Sequence, residues 1–304
     1  MKNITSRFVA IAGLMAFYFS PAAGATDQYE VHLDRQMAVG QMYQIVGVYQ
    51  YSESDRNQMG QTATLNDGIR LEATEKILKV NSIGCETKAS LTIHEFIRVK
   101  DGNLTTLAQN GEVLTIECKG DQDIQVDGGQ NIDNDVKQDM VAVMQMSAQQ
   151  FNAADDAAFG TPDLKYPLQS WPVNRNLALQ TLAKNSPLTA DDVQGVTKFS
   201  LLSYDRGTEY LTFDTEVVLD KLPPIKDMPG NLKETQSGET FQQTETVPEG
   251  KFGPPTNWAW GISSSYLYEG RADSGATLRV SGSTTTSVTS KRTVVPVVKT
   301  GTGN

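Results

Sequence analysis

Two histidines, two cysteines and a run of carboxylates are the groups in this 304-residue chain whose types and spacing could do chemistry. His94 opens the run HEFIR at 94–98. A zinc hydrolase of that pattern needs a second histidine four residues on, on one helical face, with the glutamate as general base. Arg98 stands in that place and the run alternates like a strand, so it is not a zinc motif. His32 is far away in the sequence, and no G-x-S-x-G elbow is present. EGKF at 249–252 lacks the upstream glycine and the hydroxyl of a phosphate loop. Carboxylates crowd Asp121–Asp135, where hard oxygen ligands could hold calcium. Counting Asn131, Asp133 and Asp135 as the first ligands puts Val136 where the loop needs glycine and Ala142 where it needs glutamate. That run reads as a solvated loop capping a helix. Nothing singles out a carboxylate pair for glycoside hydrolysis. The chain therefore reads as non-catalytic, with no metal and no cofactor.

Cys85 and Cys118 are the only cysteines. In an exported protein an isolated pair is expected to be a disulfide. A hairpin turned at Asp101-Gly102 would place them directly opposite each other; a turn at Asn110-Gly111 would fold residue 118 toward 103 instead.

The stretch WAWGISSSYLY at 258–268 alternates large and small residues. Trp258, Trp260, Tyr266 and Tyr268 are the candidate ligand-binding residues. A contiguous exposed aromatic face exceeds what a soluble monomer tolerates, so 258–262 is expected to be mainly core. The Tyr266/Tyr268 end is then the part expected to be exposed.

These groups sit on strands. Period-two alternation marks YQIVGVYQY from Tyr43, GIRLEA from Gly68, LTIHEFIRV from Leu91 and EVLTIEC from Glu112, with Asp-Gly and Asn-Gly turns between. In LTIHEFIRV, Leu91, Ile93, Ile97 and Val99 are expected on one side, with His94, Phe96 and Arg98 opposite. Residues 132–151 carry one apolar stripe at helical spacing, with Asp133 and Asp135 at its start. A short helix is expected around 176–184, followed by the strands KFSLLSY and EYLTFDTEVVLD. Residues 223–257 hold six of the twelve prolines with almost no periodicity and read as a mobile excursion. The predicted fold is mainly β: an antiparallel meander forming a curved sheet or half-barrel, with a long amphipathic helix packed on it. Residues 26–304 form one β-rich unit, compatible with related halves 26–130 and 160–298 joined by helix 132–151.

The N-terminus has Lys2 and Arg7, an apolar run from Phe8 to Phe19, and Ala23-Gly24-Ala25. This is the pattern of a secretory signal peptide over 1–25, cut after Ala25. The apolar run is too short to span a bilayer, and no cysteine follows it to carry a lipid anchor. A soluble periplasmic or secreted protein is expected. A net charge of −10 excludes nucleic acid as a natural partner.

Residues 162–222 run from a Pro-rich approach with Trp171, through a short helix and the V-x-G entry at Val193, to a two-stranded hairpin. This order resembles an uncharacterised class of exported bacterial β-rich proteins. The resemblance implies a secreted meander with no assigned activity and carries over no catalytic residue. The leading expectation is an envelope binding or interaction protein. Its rivals are a half-barrel carrier of an apolar ligand and a carbohydrate-binding or carbohydrate-active protein.

Overall fold

The computed structural model describes residues 27–120, 123–130, 132–146, 153–182, 188–205, 207–222, 232–271 and 275–295. Six strands come first: β1 (Met42–Arg56), β2 (Thr62–Val80), β3 (Glu86–Lys100), β4 (Asn103–Ala108), β5 (Val113–Cys118) and β6 (Ile124–Asp127). Helices α1 (Asn134–Met144) and α2 (Ala153–Ala158), strand β7 (Ser170–Pro172) and helix α3 (Arg175–Leu182) follow. The chain ends with β8 (Val193–Asp205), β9 (Thr208–Leu219), β10 (Leu232–Pro248), β11 (Asn257–Arg271) and β12 (Thr277–Val294).

All twelve strands join one antiparallel sheet in the order β6-β5-β3-β2-β1-β12-β11-β10-β9-β8-β7, with β4 beside β3. The sheet is open, with β6 and β7 at its ends. The first and last long strands meet at its centre, where Tyr43 pairs with Val294 and Arg56 with Ser281.

The inner face carries two cores. One lies under α1 and gathers Ile45, Leu71, Ile93, Phe96, Leu114 and Met140, all essentially buried. The other lies under α2, α3 and the N-terminal segment, and includes Tyr29, Leu33, Phe159, Phe199, Phe213 and Val217. Trp260 packs against both. Asp133 caps α1, its Oδ1 accepting from Val136 N at 2.9 Å. Arg98 ties that cap to the sheet, bonding Asp133 at 2.8 Å and, through Nε, Asp67 at 2.8 Å.

Four sequence expectations change here. The helix on the sheet is short, 11 residues, because Gln145 turns into the left-handed region at φ 55° and closes it. The last residues of the expected 132–151 helix lie outside the described ones. Within the expected excursion 223–257, residues 232–248 form β10, paired on both edges; residues 223–231 lie outside the described residues.

LTIHEFIRV is not one regular alternation. Glu72 pairs with Glu95 but Ala73 with Ile93, so His94 is an extra residue, a β-bulge. Beyond it the faces swap. Phe96 becomes 1% exposed in the core while Val99 is 39% exposed.

The expected disulfide is absent: Cys85 and Cys118 are both buried and are not joined to each other. The two turns act in series. Asp101-Gly102 closes β3 onto β4, with Lys100 opposite Asn103; an extra residue at Leu107 and one more between 109 and 112 then slip the register so that Lys88 faces Glu117. Carried one step further, that register would set Cys118 opposite Thr87, two residues from Cys85. Such diagonal neighbours sit about 7–8 Å apart, beyond ordinary disulfide reach.

Close packing of α1 rests on Gly47. A Cβ there would lie 2.2 Å from Val143 Cγ1. Gly47→Ala should therefore cost about 1–3 kcal/mol through overpacking. Combining it with Val143→Ala should cost less than the sum of the two single changes. Urea denaturation of the four proteins checks this; strict additivity would show that α1 does not pack on Gly47.

Candidate functional site

The aromatic stripe of β11 lies on the inner face. Trp258 and Trp260 are half-buried, stacked edge-on at 6.2 Å, and packed against the α1 core. The rest of the stripe reverses the expected order. Tyr268 is the most buried member, 6% exposed, its hydroxyl donating to Glu234 at 3.1 Å. Tyr266 is half-buried and donates to Asp55 at 3.0 Å. The four candidate residues thus share one strand and one face; Trp258 and Trp260 pack against the cores, and both tyrosine hydroxyls are hydrogen-bonded. Ala25 lies outside the described residues.

The outer face has a depression of about 540 Å³ where β1, β2, β3 and β12 run side by side. It centres on Gly68, which pairs with Gln50 on one side and Val99 on the other. A Cβ on Gly68 would lie 2.3 Å from Tyr49 O, so only glycine lets β1 approach so closely. Val48, Ile97 and Val99 give it an apolar lining; Gln50, Ser52, Arg70 and Ser287 add polar groups. Arg70 is held by Glu95 at 2.9 Å.

A second, smaller cavity of about 80 Å³ lies on the inner face between the two cores. Four carboxylates line it: Asp34 from the N-terminal segment, Glu86 from β3, Asp155 from α2 and Glu245 from β10. Glu86 and Glu245 are buried; Asp34 and Asp155 are half-buried at the rim beside Trp258. Burial, with Asp155 and Asp156 close by, pushes the Asp34 carboxyl up to about 8. Burial and Asp155 push Glu245 to about 8, and burial with Asp156 pushes Asp155 to about 6. Glu86 is raised by burial and by Glu75.

Glu75 in turn is bound by Arg292 of β12, through Nε at 2.8 Å and Nη2 at 3.0 Å. Arg292 also donates to Met144 O at the end of α1. This buried ion pair therefore fastens the helix to β12 and β2, the two strands that flank β1.

None of these acids was singled out in the sequence. They come from four separate segments and share no motif. The histidines stay apart: His32 bonds Glu30 at 2.9 Å, and His94 bonds Thr74 at 2.9 Å. Among the described residues no group of three or more His, Cys, Asp or Glu is placed to hold a metal ion. No helix among them is long and apolar enough to cross a membrane.

No protein-family model matches the chain, and no curated protein matches it. Two solved structures share a loose likeness. A lipovitellin structure described for its lipid–protein interactions has 9% identity and a TM-score of 0.34 over 86% of this chain. The chain spans only 26% of that lipovitellin chain. P47 from Clostridium botulinum A2 has 8% identity and a TM-score of 0.18, over 84% of this chain and 82% of P47. At these scores the likeness carries no argument about fold or function.

The raised acids set a pH dependence. Each folded-state value lies above the ordinary carboxylate range, so the stability it contributes is complete at about pH 4 and is lost as pH rises, through about 6 for Asp155 and about 8 for Asp34 and Glu245. Asp67 and Asp133 are lowered, Asp67 chiefly by its bonds to Arg98 and Asp133 chiefly by the Val136 N–H it caps. They lose stability only at lower pH. The melting temperature should therefore peak in the mildly acidic range and fall toward pH 9. Asp34→Asn and Glu245→Gln should each flatten that fall. Scanning calorimetry across the range checks this, and a melting temperature that rises from pH 5 to 8 would contradict it.

Proposed function

We propose that the protein is an exported, non-catalytic binding protein that carries a small apolar or amphipathic ligand in the outer-face depression around Gly68. One observation supports this above the others. A depression of about 540 Å³, mostly apolar, lies on a sheet face otherwise open to solvent. Ligand sites commonly measure about 300–1,000 Å³ and combine an apolar lining with a few placed polar groups. Here Val48, Ile97 and Val99 supply the lining, while Gln50, Ser52 and Arg70 could orient a polar end. The signal-like N-terminus and the negative net charge support an exported, soluble carrier. A half-barrel curvature of the sheet belongs to the same proposal. The β11 aromatics are the weaker candidate for a ligand surface, whether for sugar or lipid, because the cores already use much of their area.

The test is native mass spectrometry of the mature protein purified from its own host. A bound small molecule should accompany the wild type. Val99→Asp, at an exposed position of the lining, should lose most of it and keep its melting temperature within about 1 °C, since surface changes usually cost little. Wild-type protein with no bound mass, or a ligand equally retained by Val99→Asp, would overturn the proposal.

A further inference from the structure

The turn between β3 and β4 leads into the triplet Asn103-Leu104-Thr105. An asparagine followed two residues later by serine or threonine, with no proline between, is the acceptor pattern for an N-linked glycan. The triplet is short enough to arise by chance, so its setting in the fold decides what it can do. The same pattern recurs once, at Asn3, inside the signal-like residues 1–25 and outside the described ones. Asn103, Leu104 and Thr105 are all exposed. Alternation along β4 sets Asn103 and Thr105 on one side and Leu104, 70% exposed, on the other, opposite Val99. Neither the Asn103 amide nor the Thr105 hydroxyl is hydrogen-bonded among the described residues. Among those residues β4 pairs with β3 alone, so its second edge is open and its backbone can be gripped as an extended strand. The turn that presents the triplet is anchored. Asp101 donates its N–H to Asn66 O at 2.8 Å and accepts from Asn66 N at 2.9 Å through Oδ1.

We propose that Asn103 is an N-glycosylation site, an inference that rests on the export reading above. The co-reactant is a sugar chain carried on a lipid through a diphosphate and brought by a transferase. Nδ2 of Asn103 attacks C1 of the first sugar. The C1–N bond forms and the bond from C1 to the diphosphate oxygen breaks. The lipid diphosphate leaves with the electron pair, and one amide proton goes to solvent. Nothing is oxidised or reduced. The hydroxyl of Thr105, about 7 Å along the same side of the strand, is the second group that the transferase must find. Asp101, exposed two residues before the acceptor, would face the cationic surface that has to hold the diphosphate. A glycan here also has a structural use. It stands at an open strand edge next to an exposed leucine, where it would block pairing with other chains.

Mass spectrometry of the protein purified from its own host tests this. Cleavage after Lys100 and Lys119 releases residues 101–119, which contain Asn103. That peptide should carry a sugar mass, and fragmentation should place it on Asn103. Asn103→Gln and Thr105→Ala should lose the mass, while Thr105→Ser should keep it, because serine also supplies the hydroxyl. All three changes fall at exposed positions, so each variant should melt within about 1 °C of the wild type. The N-terminus is read from the same sample. A chain cut after Ala25 with residues 101–119 unmodified would overturn the glycan and leave export standing. An uncut chain with the same peptide bare would overturn both. A sugar mass retained in Asn103→Gln or in Thr105→Ala would contradict the assignment as well.

Discussion

The pairing of β1 with β12 is the interaction on which the rest of this protein depends. The strands on either side of it form two runs, each over a core, although Tyr29 and Leu33 of the N-terminal segment cross into the second core and Val288 of β12 enters the first. Only the central pair, with residues 43–56 opposite 281–294, makes them one sheet. It is also the costliest pairing to form, because nearly the whole chain lies between the partners. Loop closure must be met before such contacts stabilise anything, so folding is expected to be slow.

The side chains at this seam are chosen for holding rather than for softness. Arg292 on β12 bonds Glu75 on β2 across β1, and reaches the last turn of α1. Losing one member of such a buried pair is expensive, about 3–5 kcal/mol, because the other charge is left without a partner. Trp260 touches both cores from the other side of β12. The acidic cavity draws residues from both halves of the chain, Asp34 and Glu86 from the first and Asp155 and Glu245 from the second.

Much of the fold was legible. The turns at Asp101-Gly102 and Asn110-Gly111, most of the alternating strands and the capping aspartate at the start of α1 stand where local chemistry places them, whereas Asp67-Gly68, expected as a turn, lies inside β2. What was hidden was hidden for physical reasons. β10 puts Glu239, Phe241, Gln243, Glu245 and Val247 on its inner side. With polar residues at three of those five positions, the period-two signal disappears. Glu245, which helps build the acidic cavity, is one of the residues that concealed its strand. The bulge at His94 and the extra residues at Leu107 and within 109–112 are small insertions that no periodicity reveals, yet the first re-aims Phe96 and Arg98 and the others separate the cysteines. The cavity itself draws on residues 34, 86, 155 and 245, brought together by topology alone. The outer depression was equally silent, because its centre is a glycine that a sequence reading assigns to a turn.

Amide hydrogen exchange, read residue by residue, tests the central claim most directly. Amides of β1 and β12 that pair across the seam should exchange only through global unfolding, with the same opening free energy as the buried amides of β3 and β9. Seam amides that open well below that level, while the two cores stay protected, would mean that the halves are separate units and that the β1–β12 pairing does not hold the molecule together.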